Sequence, residues 1–259
     1  MSDIKAAHKK MWASGDYFVV SIHVQWVSEL LCESVNLRAG QKVLDIACGN
    51  GNTSLSAARR GCKVTGVDLT PELLQIARER ATAERLSIDF QEGDAEELNF
   101  DDEAFDCVLS TFGIMFVPNR DKATDELLRI LKPGGRIGLA NWAAQTNVEF
   151  APIIASYTAE PPPNPWTTED GLRGIFNDRV RDLNVTSKKI HYRFASATDF
   201  IDAMTMRFGP WKNLMASLEE DAAANLRNDL ISEVDRHNIS GDLTLILPLD
   251  YLEIVAVKN

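Results

Sequence analysis

The feature that most constrains this chain is the alternation between Gln41 and Trp142. Five apolar runs of strand length, VLDIA (43–47), VTGVD (64–68), SIDFQEGD (87–94), FDCVLSTF (105–112) and RIGLANW (136–142), are separated by helical and turn segments. SLSAARRG reads as a helix closed by Gly61. Thr70-Pro71 supplies an N-cap and a first-turn proline for a helix with Leu73, Leu74, Ala77 and Ala81 on one face, and DKATDELLRILKPGG reads as a helix stopped by Pro133-Gly134-Gly135. Strands alternating with helices pair in parallel with both faces covered, so the fold class is α/β with a doubly wound sheet. In such sheets ligands bind beyond the carboxyl ends of the strands, which directs attention to the loops after Ala47, Asp68, Asp94 and Ser110.

Past Trp142 the rhythm changes. VEFAPIIASYTAEPPPNPW reads as a helix running into a rigid proline cluster at 161–165, TSKKIHYRFA (186–195) alternates like a strand, and LILPLDYLEIVAVKN reads as a strand with a bulge around Pro248. Adding these two strands at the sheet edge gives a seven-stranded, mainly parallel sheet. The helical stretch between them, beginning ATDFIDAM, is expected to lie over the ligand crevice as a lid.

Charge and cysteines exclude several functions. With 27 Lys+Arg against 38 Asp+Glu the formal net charge is −11, which disfavours a nucleic-acid partner. No segment is long and apolar enough to span a membrane, and MSDIKAAHKKMW lacks the apolar centre of a signal peptide, so the cytoplasm is expected. Cys32, Cys48, Cys62 and Cys107 lack metal or redox spacing, so no metal site and no thiol chemistry are expected.

The loop after the first strand is more specific. Gly49-Asn50-Gly51-Asn52-Thr53-Ser54 lacks the third glycine of a dinucleotide fingerprint, which disfavours a nicotinamide oxidoreductase. Asp45, at the strand end, would repel a pyrophosphate but suits an ammonium group. S-adenosylmethionine has that ammonium, no phosphate, and a carboxylate that helix N-terminal N–H groups can receive. Asp68, 17 residues past Gly51, stands where an acid reaches ribose hydroxyls. Asp94, followed by Ala95, suits an adenine edge, the carboxylate accepting from the exocyclic amine and the Ala95 N–H donating to the ring.

VLDIACGNGN, GVDLTPELL, EGDAEELNF, FDCVLSTFGIMFVPN and LKPGGRIGLANW, in that order and spacing, resemble the motif series of class I S-adenosylmethionine-dependent methyltransferases. The resemblance is to the ubiquinone/menaquinone-biosynthesis-like branch, methyltransferase type 11, and it implies a Rossmann-like methyltransferase fold. It further implies S-adenosylmethionine as cofactor and S-adenosylhomocysteine as product. Carried over by position, it assigns Asp45, Ala47, Gly49 and Gly51 to the methionine part, Asp68 and Leu69 to ribose and adenine, and Asp94 and Ala95 to the adenine edge. Ser110 would put its backbone near the amino group, and Trp12 and Tyr17 would offer rings to the cofactor. Ala47 stands where the family has its usual first glycine, a change an alanine tolerates unless φ is positive. MWASGDY resembles the branch's N-terminal element that closes over the cofactor. The implied organisation is a closing element at 1–40, a cofactor core at 41–145, and a lid with the last two strands at 146–259.

The resulting expectation is transfer of the sulfonium methyl to a small molecule, with positioning as the main source of rate. A binding protein without transferase activity, acting as a partner or sensor, would carry the same motifs. The stretch Ser110-Thr111-Phe112-Gly113 lacks the [ND]PP[YF] element of nucleobase and glutamine methyltransferases. The acceptor is therefore expected to be a small metabolite with an apolar or aromatic part, bound beneath the lid by Met204, Phe208, Trp211 and Trp166. Where a proton must be removed, His23 is favoured as base over His8, His191 and His237, because it follows the closing element.

Overall fold

The computed structural model describes residues 3–144, 148–159 and 162–259, so Pro161 of the proline cluster lies outside the described residues. In chain order the elements are α1 (Asp3–Ala13), α2 (Tyr17–Ser21), α3 (Gln25–Ser34), β1 (Lys42–Ile46), α4 (Asn52–Arg59), β2 (Lys63–Asp68), α5 (Pro71–Ala83), β3 (Ile88–Glu92), β4 (Phe105–Thr111) and α6 (Arg120–Ile130). They continue with β5 (Leu131–Trp142), α7 (Phe150–Ala155), α8 (Glu169–Phe176), β6 (Val180–Phe194), α9 (Ala197–Arg207), α10 (Gly209–Ser217), α11 (Glu220–Arg236) and β7 (Leu245–Lys258).

The strands form one seven-stranded sheet in the order β3-β2-β1-β4-β5-β7-β6. The first five are parallel, while β7 runs antiparallel to both β5 and β6. The order reverses between β1 and β4, which makes the loops after those strands the floor of a crevice. β1 is buried at Val43, Leu44, Asp45 and Ile46, as a strand covered on both faces must be.

Local chemistry sets the boundaries. Asn119 accepts from the Lys122 N–H at the start of α6, Thr168 from Gly171 at α8, and Ser196 from Asp199 at α9. Three expectations are revised. β5 begins at Leu131, so the helix before it ends ahead of the Pro-Gly-Gly turn, and that turn is carried within the strand. β6 starts at Val180, and α8, too short to be legible as a periodic pattern, precedes it. Pro248 makes no bulge: it pairs in register with His191, and the register shift lies between Arg181 and Asn184. Pairing of β7 with β5 ends at Tyr251, so at Pro248 the strand has a neighbour on one side, which tolerates the missing N–H.

Two large apolar cores cover the sheet, and a smaller one joins Leu55 of α4, Leu74, Ala77 and Ala81 of α5 and Phe90 of β3. On one face Leu31, Val35, Tyr192, Phe200, Leu226, Leu230 and Tyr251 join α3 to α9 and α11; on the other Leu127, Trp166, Leu172, Phe176, Leu252 and Ile254 seat α6 and α8. The lid lies on the first face. Its junction with the N-terminus is a close backbone crossing: the Asp16 N–H donates to the Arg207 carbonyl at 2.9 Å. A Cβ on Gly15 would stand 2.0 Å from the Arg207 oxygen, and one on Gly209 would stand 2.2 Å from the Met11 oxygen. Only glycine fits at this crossing.

Candidate active site

The first cavity opens at the carboxyl ends of β1, β2, β3 and β4. Its wall includes Trp12, Tyr17, Asp45, Ala47, Gly49, Asp68, Leu69, Asp94 and Ala95. Two residues expected there do not reach it. Gly51 caps α4 in the left-handed conformation at φ +86° and faces Ala77 and Phe90, which a Cβ would approach to 3.1 and 3.2 Å. Ser110 is buried behind the wall, its hydroxyl donating to the Ile46 carbonyl at 2.7 Å and accepting from the Ile114 N–H at 3.0 Å.

Ala47 does take a positive φ, +52°, the condition under which alanine loses the advantage of glycine. Its methyl and carbonyl pack where a Cβ on Gly113 would come within 2.7 Å, so the β1 and β4 loops meet here without space to spare.

Asp45 and Asp68 are both buried. One Asp45 oxygen accepts from the Ser54 hydroxyl at 2.6 Å, and the other, Oδ1, has no partner among the described residues. Burial pushes the Asp45 carboxyl up to about 7, with the Ser54 hydrogen bonds pulling it down and the Asp68 charge adding to the rise. An orphaned carboxylate oxygen in a cavity is what an ammonium donor fits. Asp68, expected at ribose hydroxyls, accepts from the Gly49 N–H and the Thr70 N–H, both at 2.8 Å, so it also shapes the loop after β1. Burial raises the Asp68 carboxyl, and those backbone donors oppose the rise.

Of the α1 residues at the cavity, Trp12 of the expected closing element is joined by Lys5 and His8, which the sequence reading did not single out. Lys5, His8 and Trp12, spaced i, i+3 and i+7, share one helical face and all line the cavity. Lys5 pairs with Asp94 and with Glu96, while the other Asp94 oxygen accepts from the Glu96 N–H at 2.9 Å. Lys9 pairs with Glu92. The spacing is visible in the sequence, but the ion-pair partners that dock this face are not.

The second cavity, about 340 Å³, lies beside the first under α9 and α10. Met204, Phe208 and Trp211 line it, together with Phe112, Trp142, Phe150, Tyr192 and Phe200. Trp166 does not: it is buried on the opposite face of the sheet, against Phe176, and its carbonyl accepts from Asn141 at 3.0 Å. His23 lines neither cavity; its ring packs on Phe194 at 4.6 Å and on Tyr192 at 5.7 Å between centroids, and burial pushes its pKa down. Asp250, also in the lining, is paired with Lys189.

A family model described as a methyltransferase domain matches residues 44–139. An uncharacterized protein of Mycobacterium tuberculosis, Rv1405c, is 33% identical over 266 residues, covering 99% of this chain and 96% of its own length. A demethylmenaquinone methyltransferase of Clavibacter sepedonicus is 39% identical over 105 residues, 40% of this chain and 42% of its own. Among solved structures, the YcgJ protein of Bacillus subtilis matches with a TM-score of 0.63 at 21% identity, over 90% of this chain and 98% of its own. Phosphoethanolamine N-methyltransferase 2 of Haemonchus contortus, solved with phosphomonomethylethanolamine and S-adenosylhomocysteine, matches with a TM-score of 0.60 at 22% identity, over 90% of this chain and 52% of its own. These two structural likenesses show the shared fold.

Proposed function

This chain belongs to the class I S-adenosylmethionine-dependent methyltransferases, and on that premise we propose that it methylates a small, uncharged, largely aromatic or aliphatic acceptor. S-adenosylmethionine, held by the residues of the first cavity, would supply an electrophilic sulfonium methyl to an acceptor atom in line with the carbon–sulfur bond, the bonding pair staying on sulfur as S-adenosylhomocysteine and the proton of an O–H, N–H or S–H acceptor passing to water.

The residues of the first cavity fit that cofactor. The unpartnered Asp45 oxygen suits its ammonium group, and Asp68, whose oxygens keep lone pairs beyond those given to Gly49 and Thr70, suits the ribose hydroxyls. Asp94 and Ala95 suit the adenine edge, with Lys5 holding the Asp94 carboxylate in place.

The observation that carries the acceptor class is the lining of the second cavity. Among the described residues that line it, the only formally charged side chain is Asp250, and Lys189 already neutralises that one. A charged acceptor would lose its hydration here without a counter-ion, whereas an apolar ring gains by burial. A volume of about 340 Å³ accommodates a metabolite rather than a polymer. No histidine lines this cavity among the described residues, so the rate rests on orientation and exclusion of water rather than on His23 as base.

Incubation with methyl-labelled S-adenosylmethionine and a panel of neutral aromatic alcohols, amines and thiols, beside phosphorylated and zwitterionic amines, tests this reading. Label is expected on neutral acceptors. Label confined to the phosphorylated or zwitterionic compounds would overturn it, and binding of cofactor without any transfer would favour a sensor.

A further inference from the structure

The hydroxyl groups in the lining of the second cavity belong to Tyr17, Ser21 and Tyr192. Ser21 is committed: it donates to the Phe18 carbonyl at 3.1 Å and accepts from the Asn50 side chain at 2.6 Å. The two phenols have no hydrogen-bond partner among the described residues. A buried phenol ordinarily finds one, so an unpartnered phenol on a cavity wall is a bond left for a ligand to make.

Tyr192 is the more enclosed of the two. It is 4% exposed and pairs in register with Leu247 on β7. Its ring lies nearly parallel to Phe194, with 12° between the planes, and meets Phe200 edge to face at 5.5 Å. Its oxygen is nevertheless open. Among the described residues the sealed polar side-chain atoms without a partner belong to Asp45, Asn141, Trp166, Tyr251 and Glu253, and the Tyr192 oxygen is not one of them. Unpartnered but not sealed, it keeps its surface on the cavity that the residue lines.

The phenol also faces the donor. Tyr17 lines the first cavity as well as the second, and its phenol is near enough to Tyr192 for a charge on one to oppose ionisation of the other. Burial, together with that neighbour, pushes the Tyr192 phenol up, and burial with the Asp68 charge pushes Tyr17 up to about 12. Both hydroxyls keep their protons at neutral pH and can donate them. Trp142 and Trp211 add N–H donors and no acceptor to the same lining, while Asp250 is taken up by Lys189. The polar part of this wall offers hydrogens, and a ligand oxygen completes it.

We propose that the Tyr192 phenol anchors the acceptor by donating a hydrogen bond to an uncharged oxygen, a carbonyl or a hydroxyl, and so selects oxygenated molecules from within the apolar class. The inference rests on the reading that the second cavity holds the acceptor. A hydrocarbon of the same shape displaces water from the phenol and leaves it unpaired, which is the condition under which a buried polar group discriminates between ligands.

Equilibrium dialysis of α-tetralone and of tetralin, the same two-ring skeleton without the carbonyl, tests the anchor on the parent protein and on Tyr192→Phe, with S-adenosylhomocysteine present. The substitution removes one oxygen that has no partner within the chain and keeps the ring packing, so the variant should melt as the parent does. Affinity for α-tetralone is expected to fall about 3- to 10-fold, with affinity for tetralin unchanged within about twofold. Equal losses for both compounds, or no loss for α-tetralone, would overturn the anchor. Infrared spectra of α-tetralone bound to the parent protein give a second reading without any variant: a carbonyl band below its position in hexane is expected, and a band at the hexane position would overturn the anchor. A parent protein that binds neither compound would overturn the acceptor reading, and the anchor with it.

Discussion

Lowering the pH below neutrality should weaken cofactor binding through one carboxyl group. Asp45 is 1% exposed and has one oxygen without a partner, and its pKa stands at about 7 against an ordinary 3.8. Below that value the empty cavity holds a neutral acid, which cannot pair with an ammonium group until it gives up its proton. Affinity should therefore fall by about tenfold for each pH unit below about 7, or about 50-fold between pH 7 and pH 5. Calorimetry with S-adenosylhomocysteine in buffers of different ionisation heat reads both the slope and the release of close to one proton per ligand at about pH 6. Asp45→Asn can still accept from Ser54 but cannot titrate, so its weaker affinity should be flat with pH. The same group affects stability with a definite sign. Its folded-state pKa lies above the unfolded one, so the folded chain binds the extra proton and loses stability as the pH rises from about 4 to about 7. A rise of about three units is worth on the order of 4 kcal/mol, and Asp45→Asn, which removes that penalty, should melt higher than the parent without ligand above pH 7. Affinity that is flat between pH 5 and 7, with no proton release, would refute both the raised pKa and the pairing with ammonium.

Asp68→Ala should lower affinity and stability together, because the buried N–H groups of Gly49 and Thr70 each lose an acceptor, at about 1–3 kcal/mol apiece; urea unfolding without ligand checks this. Ala47→Gly relieves a φ of +52° and should stabilise the fold by up to about 1 kcal/mol, read as a higher denaturant midpoint with unchanged slope. Gly209→Ala places a Cβ 2.2 Å from the Met11 carbonyl, so α1 should leave the lid, seen as faster proteolysis before residue 16 and weaker cofactor binding while the core stays folded.

The sequence by itself determined the sheet and most of the floor of the first cavity. Strand and helix periods, Gly61, Thr70-Pro71 and the carboxylates at strand ends are local signals, and a parallel sheet with its switch point between β1 and β4 converts them into a site with few alternatives. Asp45, Asp68 and Asp94 were legible because each ends a strand or follows it directly, where backbone direction alone aims a side chain into the crevice. Tertiary structure decided the rest. Lys5 and His8 joined Trp12 as a wall only when α1 docked, through ion pairs to Asp94, Glu96 and Glu92 and through a glycine crossing at Gly15 and Gly209, none of which has a local signature. Trp166 and Trp211 look alike in the sequence, but they lie on opposite faces of the sheet, one in a core and the other in a cavity. Whether an apolar side chain fills a core or lines a pocket depends on how completely distant elements close over it. That is a property of packing volume, to which hydrophobic periodicity is blind.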